Sequence, residues 1–177
     1  MLRLHIAFLL IVFGCQLVSA QYHFDSWTTD NGLPQNGVRS ISQTPDGYLW
    51  FTTLDGLVRF DGVQFTIFNK SNSKGIINNR FWVLKSFADG SVWAATEGGD
   101  LTIYRDGKFT SFSAEQVPEQ LILGFEKEEN GEVLINVDSS FYYLRKGEFV
   151  FAKKSENDGK QKHIHLGQSG TRWEVYP

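Results

Sequence analysis

Gly32-Leu33-Pro34-Gln35-Asn36, followed by Asp46-Gly47-Tyr48-Leu49-Trp50-Phe51-Thr52-Thr53 and Asp55-Gly56-Leu57-Val58-Arg59-Phe60-Asp61-Gly62, returns in eroded form further along the chain. The second copy reads Ile77-Asn78-Asn79, then Asp89-Gly90-Ser91-Val92-Trp93-Ala94-Ala95-Thr96, then Tyr104-Arg105-Asp106-Gly107. Residues 35–53 align with it without a gap at an offset of 43, and Asn36/Asn79, Asp46/Asp89, Gly47/Gly90, Trp50/Trp93 and Thr53/Thr96 are identical. Asn130-Gly131-Glu132-Val133-Leu134-Ile135 follows at an offset of 41 from Gly90, with Leu134 in the tryptophan's place. Ser169-Gly170-Thr171-Arg172-Trp173 follows 39 residues after that, and the tryptophan returns. One apolar column, Ile41, Leu84, Phe125 and Ile164, runs through the segment before each of these turns.

Within a repeat the pattern is that of β-structure. Residues 38–44 end at Pro45-Asp46-Gly47, where proline fixes φ and glycine accepts φ > 0. Residues 48–53 are rich in aromatic and β-branched side chains and stop at Asp55-Gly56. Residues 57–60 close at Asp61-Gly62, and residues 63–68 alternate Val63, Phe65 and Ile67 against polar neighbours. No window carries apolar residues at helical spacing, and the 17 glycines break most candidates. Four short strands joined by tight turns, at a period near 40 residues, spell one blade of a β-propeller. The expectation is an all-β chain of four-stranded antiparallel meanders over residues 27–69, 70–113, 114–154 and, incomplete, 155–177. Its structural positions are the turn glycines Gly47, Gly62, Gly90, Gly107, Gly131 and Gly170, the column Trp50, Trp93, Leu134 and Trp173, and the strand ends Thr53 and Thr96. The tryptophan column reads as packing between blades rather than as a platform for stacking sugars, because it keeps one place in the repeat.

The motif from Gly32 to Gly62 resembles the two-component regulator propeller family, bacterial extracytoplasmic sensor domains with the same Gly-Leu-Pro, Asp-Gly-Tyr-Leu-Trp and Arg-Phe-Asp-Gly elements. The match is close in the first copy, moderate in the second and weak in the others. Residues after the tryptophans are Phe51, Ala94 and Glu174, so the Trp-Asp dipeptide of WD40 blades is missing, and Gly98-Gly99 is a lone doublet, unlike kelch. The resemblance implies a periplasmic sensor propeller, an oligosaccharide ligand, and an output module, usually a histidine kinase, that lies outside this chain. It implies no catalytic activity and no cofactor for the propeller itself.

The first twenty residues read as a targeting signal. Arg3 supplies a basic start, residues 6–13 an apolar run, and Val18-Ser19-Ala20 the small-residue pattern cleaved by signal peptidase between Ala20 and Gln21. The apolar stretch is too short to span a bilayer, which takes roughly 20 residues. Gly14-Cys15 offers lipid attachment as the alternative. Cleavage after Ala20 would remove the one cysteine, so the exported chain would rest on packing without disulfides. It would also remove Arg3 and no acidic residue, leaving 16 Lys+Arg against 20 Asp+Glu. That mild acidity argues against nucleic acid and anionic membranes as partners.

Catalytic constellations are thin. Asp46, Asp55, Asp61, Asp89 and Asp106 resemble paired carboxylates, but most stand beside glycine and recur with the blades, as turn residues do. His163-Ile164-His165 places two imidazoles on one strand face, a spacing metal sites use. Its repeat partners Ser42, Lys85 and Glu126 are all polar, so a solvated face is the better account and no metal site is assigned. A Gly-x-Ser-x-Gly elbow, a phosphate loop and a cysteine nucleophile are missing. Asn69-Lys70-Ser71 fits a glycosylation sequon. Residues 97–99, 116–120 and 153–162 depart from the repeat and read as loop variation.

Propellers close with about four to eight blades, and this chain supplies roughly three and a half at its own period. The expectation is therefore an incomplete ring, a piece of a longer protein that needs further blades or another subunit. The function read from the sequence is an exported, periplasmic or extracellular, ligand-sensing segment without catalytic output. The alternative is a fragment of an exported propeller enzyme, a polysaccharide lyase or glycosidase-like hydrolase.

Overall fold

The computed structural model describes residues 25–154, together with the backbone of the two strands His163–Leu166 and Arg172–Val175. Three four-stranded sheets follow one another along the chain, each in the order of the sequence. Blade 1 is β1 (Ser40–Gln43), β2 (Leu49–Thr53), β3 (Gly56–Phe60) and β4 (Phe65–Phe68). Blade 2 is β5 (Phe81–Ser86), β6 (Val92–Thr96), β7 (Leu101–Arg105) and β8 (Lys108–Phe112). Blade 3 is β9 (Ile122–Lys127), β10 (Val133–Val137), β11 (Ser140–Arg145) and β12 (Glu148–Lys154), and the hairpin β13 (His163–Leu166) with β14 (Arg172–Val175) begins the next repeat. All pairings are antiparallel. The first strands β1, β5 and β9 touch in turn, which sets them innermost with the other strands fanning outward.

The turn after each first strand has one construction. The Gly47, Gly90 and Gly131 amides donate to the carbonyls of Thr44, Phe87 and Glu128, each at 2.9 Å. Gly47, Gly62, Gly90, Gly107 and Gly131 all have positive φ. Gly170, Ala20 and Gln21 lie outside the described residues. The fourth strand is shorter than its alternation predicts: it begins at Phe65, because the Asp61 carboxylate accepts from the Val63 and Gln64 amides and turns that stretch into a loop. Val63 is accordingly 81% exposed.

Register makes the sequence columns physical. Trp50 pairs Ser42, Trp93 pairs Lys85, Leu134 pairs Glu126, and Trp173 pairs His165. Period-two alternation along β6 sends Val92 and Ala94 into the core shared with blade 1, and Trp93 and Ala95 into the core shared with blade 3. Both faces of this central strand are thus covered, and all five of its residues are buried. Trp50 is 1% exposed, Trp93 6% and Leu134 2%. Thr53 and Thr96 are fully buried at the ends of their strands; the Thr53 hydroxyl donates to the Gly56 carbonyl and that of Thr96 to Asp100.

The apolar column breaks at its first member. Leu84 and Phe125 are buried against the blade before them, whereas Ile41 is 61% exposed. Ile41 shares a face with Phe51, its partner in register, and among the described residues no blade lies on that face. The side chain of Ile164 lies outside the described residues.

A second repeat runs through the connections between blades. The Thr28, Asn69 and Ser113 amides donate to the side-chain oxygens of Asn31, Asn72 and Gln116, at 3.0, 2.9 and 3.0 Å. In return, the Asn31, Asn72 and Gln116 amides donate to the carbonyls of Thr28, Asn69 and Ser113. Each connection buries one apolar residue, in turn Leu33, Ile76 and Val117. Gln116 is therefore part of the repeat rather than loop variation, with a longer amide doing the work of asparagine.

Candidate functional site

The meander gives each blade two ends. One, the Asp-Gly end, carries the turns after the first and third strands, at Gly47, Gly62, Gly90, Gly107 and Gly131; the other carries the segments that enter β1, β5 and β9 and the turns joining β2 to β3, β6 to β7 and β10 to β11. At this entry end the Gly-Leu-Pro-Gln-Asn element acts as a clasp. Gly32, at φ 101°, caps the short 3-10 turn Thr29–Asn31, and Leu33 is buried behind it. The Gln35 side-chain oxygen accepts from the Leu54 amide at 3.0 Å, tying the entering segment to the turn between β2 and β3. Asn36 accepts from the Thr29 amide and Asn79 from that of Lys70, each at 2.8 Å, so the identical asparagines do the same job in consecutive blades.

Beside the clasp, three charged side chains join blades 1 and 2. Arg39 pairs with Glu97, and Arg80 donates through Nε and Nη2 to the same carboxylate at 2.9 and 2.7 Å. The Arg80 hydrogen bond, with that of Arg39, holds the Glu97 carboxyl below the usual range against the opposing effect of desolvation. Two guanidiniums sharing one carboxylate leave the patch with positive charge. A guanidinium has five N–H donors, so donors remain free to face solvent. Asn78 donates to Asp100 at 2.8 Å on the same end.

Blade 3 presents a different group there. Ser140 and Tyr142 donate to the Glu119 carboxylate at 3.2 and 3.3 Å, and desolvation, then the Glu119 charge, push the Tyr142 hydroxyl up. Glu119 and Gln120 both lie in the left-handed region, at φ 56° and 58°. Consecutive non-glycine residues there are uncommon, and such backbone gathers at ligand-contacting segments.

None of these polar groups was singled out by the sequence. Glu97 and residues 119–120 fall in stretches that read as loop variation; the usable signal was a cation just before the first strand in two consecutive blades, Arg39 and Arg80. The turn carboxylates are dispersed: Asp61 caps its own turn, Asp89 binds the Ser91 amide and hydroxyl, and Asp100 closes the turn between β6 and β7. Asn69 of the sequon accepts from the Ser71 amide and hydroxyl in a local turn. The column Ser42, Lys85, Glu126 divides: Ser42 meets Ser86 across the blade interface at 2.6 Å, while Lys85 and Glu126 are exposed. The side chains of His163, His165 and Trp173 lie outside the described residues. Among the described residues no cluster of three metal-ligating side chains occurs, and no helix is long and apolar enough to cross a membrane.

Residues 32–55 match the family described as two component regulator propeller. A stretch of 66 residues, 37% of this chain, is 35% identical to Histidine kinase P4 of Formosa agariphila, and covers 5% of that protein. In solved structures the fold is shared with the extracellular domain of a hybrid two component system of B. thetaiotaomicron, at 21% identity and a TM-score of 0.61. That match covers 87% of this chain and 22% of the other, so the chain spans about a fifth of that domain. Virginiamycin B lyase of Staphylococcus aureus is similar in fold, at 17% identity and a TM-score of 0.56 over 79% of this chain and 49% of the lyase. The matched residues 32–55 hold the clasp, the first Asp-Gly turn and Trp50: this stretch is similar to a two component regulator propeller repeat, and the chain is a β-propeller segment.

Proposed function

We propose that this segment is an extracytoplasmic ligand-sensing module, without catalytic output of its own, whose ligand meets the entry end of the blades. One observation supports it above the rest. Strand register and the turns after the first strands repeat from blade to blade, while the charged groups of the entry end change along the chain: Arg39, Arg80 and Glu97 join blades 1 and 2, and Glu119 with Tyr142 stands on blade 3. Departures from local rules in an otherwise consistent fold mark the places where function is built. Outward guanidinium donors on blades 1 and 2, with a tyrosine hydroxyl on blade 3, suit a hydroxyl-rich ligand, in keeping with the oligosaccharide class that the family resemblance implies. The likeness to the lyase is one of fold and carries no reaction to this chain.

Titration calorimetry of the exported chain against a panel of neutral and acidic oligosaccharides tests this reading. Saturable binding to a member of the panel is expected, weakened about tenfold or more by Arg80→Ala at a temperature where circular dichroism shows the variant still folded. Binding by no member, or binding indifferent to Arg80→Ala, overturns it.

A further inference from the structure

The two blade interfaces of this chain are built on the same register but are not filled alike. In the first, Trp50 is stacked on Phe68 at 5.5 Å and met by Tyr104 at 4.7 Å, with Phe109 5.0 Å beyond. Arg59 closes the outside, its guanidinium 4.5 Å over Tyr48 and 5.9 Å from the Trp50 ring. In the second, Trp93, Phe112 and Phe149 keep the places of Trp50, Phe68 and Phe109, but the other three large groups are replaced by smaller ones. Tyr104 faces Phe109 where Leu144 faces Phe149, so leucine stands for the tyrosine ring. Arg59 is opposite Trp50 where Ile103 is opposite Trp93. Ser91 follows its Asp-Gly turn as Tyr48 follows its own. Phe87 is the one gain, standing where Thr44 does and meeting Trp93 edge-on at 6.1 Å.

The difference is a cavity of about 180 Å³ between blades 2 and 3 at the Asp-Gly end, walled by Phe87, Trp93, Val133, Tyr143 and Leu144. An enclosed apolar cavity of about 150 Å³ accepts a benzene ring; this cleft has room for one six-membered ring, but it opens to solvent and its apolar side chains line only the inner wall. The mouth is charged. Asp89 is engaged by Arg105 at 3.1 Å and Glu132 by Arg145 at 2.7 Å. Lys127 stands on the same rim with no ion pair among the described residues, and its charge is felt at Asp89. The Trp93 indole N–H is buried in this wall with no acceptor among the described residues, a second sign that packing here is incomplete.

We propose that this inter-blade cavity is a binding site for a small carboxylate carrying one planar ring, the ring taking the place that Tyr104 fills in the first interface and the carboxylate meeting Lys127. Ring against Trp93 and Phe87 supplies apolar contact on faces and edges. Asp89 and Glu132, already paired, fix the orientation by repelling the carboxylate toward the lysine side. The inference is independent of the sensor reading, since it concerns the opposite end of the blades and a ligand of another class.

Benzoate and phenol, titrated separately into the full-length ¹⁵N-labelled chain, test it by the indole N–H resonances, with that of Trp93 identified through Trp93→Phe. Benzoate is expected to shift the Trp93 resonance saturably while that of Trp50 holds still. Leu144→Tyr supplies the missing ring from within and should weaken benzoate binding about tenfold or more. Lys127→Met should weaken benzoate several-fold and leave phenol unchanged. A cavity filled by water only would show no saturable shift with either probe, and the proposal fails. It fails equally if benzoate binds as before to Leu144→Tyr with the Trp50 resonance in place; Leu144→Phe serves as the same test if the tyrosine variant does not fold.

Discussion

Tyr104 of blade 2 lies with its ring centroid 4.7 Å from that of Trp50 in blade 1, so the interface between consecutive blades is held by an aromatic pair drawn from both. Trp50 is almost wholly buried and also stacked on Phe68. Trp50→Ala is expected to destabilise the chain by about 3–5 kcal/mol, measured by urea denaturation. Tyr104→Leu, which copies the second interface into the first, is expected to cost on the order of 1–2 kcal/mol.

Glycines of the chain separate into two kinds. A Cβ on Gly47, at φ 92°, would meet nothing within 4 Å, so only the backbone conformation resists substitution. One on Gly99 would lie 2.0 Å from the Gln120 carbonyl oxygen in the connection to the next blade. Gly47→Ala should cost about 1 kcal/mol. Gly99→Ala must move two segments apart and should lower the melting temperature far more. Equal melting temperatures for the two variants would count against the close approach.

The period, the Asp-Gly turns and the tryptophan column were legible because each rests on local rules: turn residues at fixed offsets and alternation along a strand. Gly99 was not legible. The turn between β6 and β7 has one residue more than that between β2 and β3, and its glycine is required by a contact with residue 120, which only the tertiary fold creates. Gln116 was hidden for a different reason: the hydrogen bond is shared by Asn31 and Asn72, but the residue type is not. Ile41 matched its column in sequence, yet burial depends on a neighbouring blade and no strand-level pattern records one. At the entry end, Arg39 and Glu97 are 58 residues apart, and no spacing rule joins them.

The connection between blades 1 and 2 supplies a test of the second repeat. Asn72 accepts from the Asn69 amide and donates to the Ile67 carbonyl, so it closes the outer strand and opens the connection. Asn72→Ala is expected to cost about 1 kcal/mol, as loss of a comparable side-chain cap does. Asn72→Asp keeps the acceptor and should recover much of it, read from the same denaturation curves.

Export has a chemical readout. Cleavage of the pattern Val18-Ser19-Ala20 places Gln21 at the mature N-terminus, where it can cyclise to pyroglutamate. Intact-mass analysis of the exported product checks it. A diacylglyceryl group on Cys15 in its place would establish the lipid-anchored alternative.

The ion-paired patch makes a signed prediction for pH. Glu97 is held below its ordinary value in the folded chain by Arg80 and Arg39, which outweigh desolvation. A carboxylate depressed in this way binds its proton more readily when unfolded, so its contribution is fully present above the unfolded value and is lost as pH falls through the folded one. Glu132, depressed by Arg145, carries the same sign. Asp89 is depressed too: partial burial pushes it up, but the Ser91 hydroxyl and amide and the Arg105 and Lys127 charges together outweigh that. The melting temperature should therefore hold near neutrality and decline below about pH 4.5, the ordinary range of an exposed glutamate. Glu97→Gln cannot titrate; its melting temperature should be lower than that of the parent at pH 7 and should fall less steeply on acidification, so that the two curves converge. Because the pair is part-exposed, added salt should narrow the gap at pH 7. Parallel curves across that range would mean that the link between Arg39, Glu97 and Arg80 contributes nothing to holding blades 1 and 2 together.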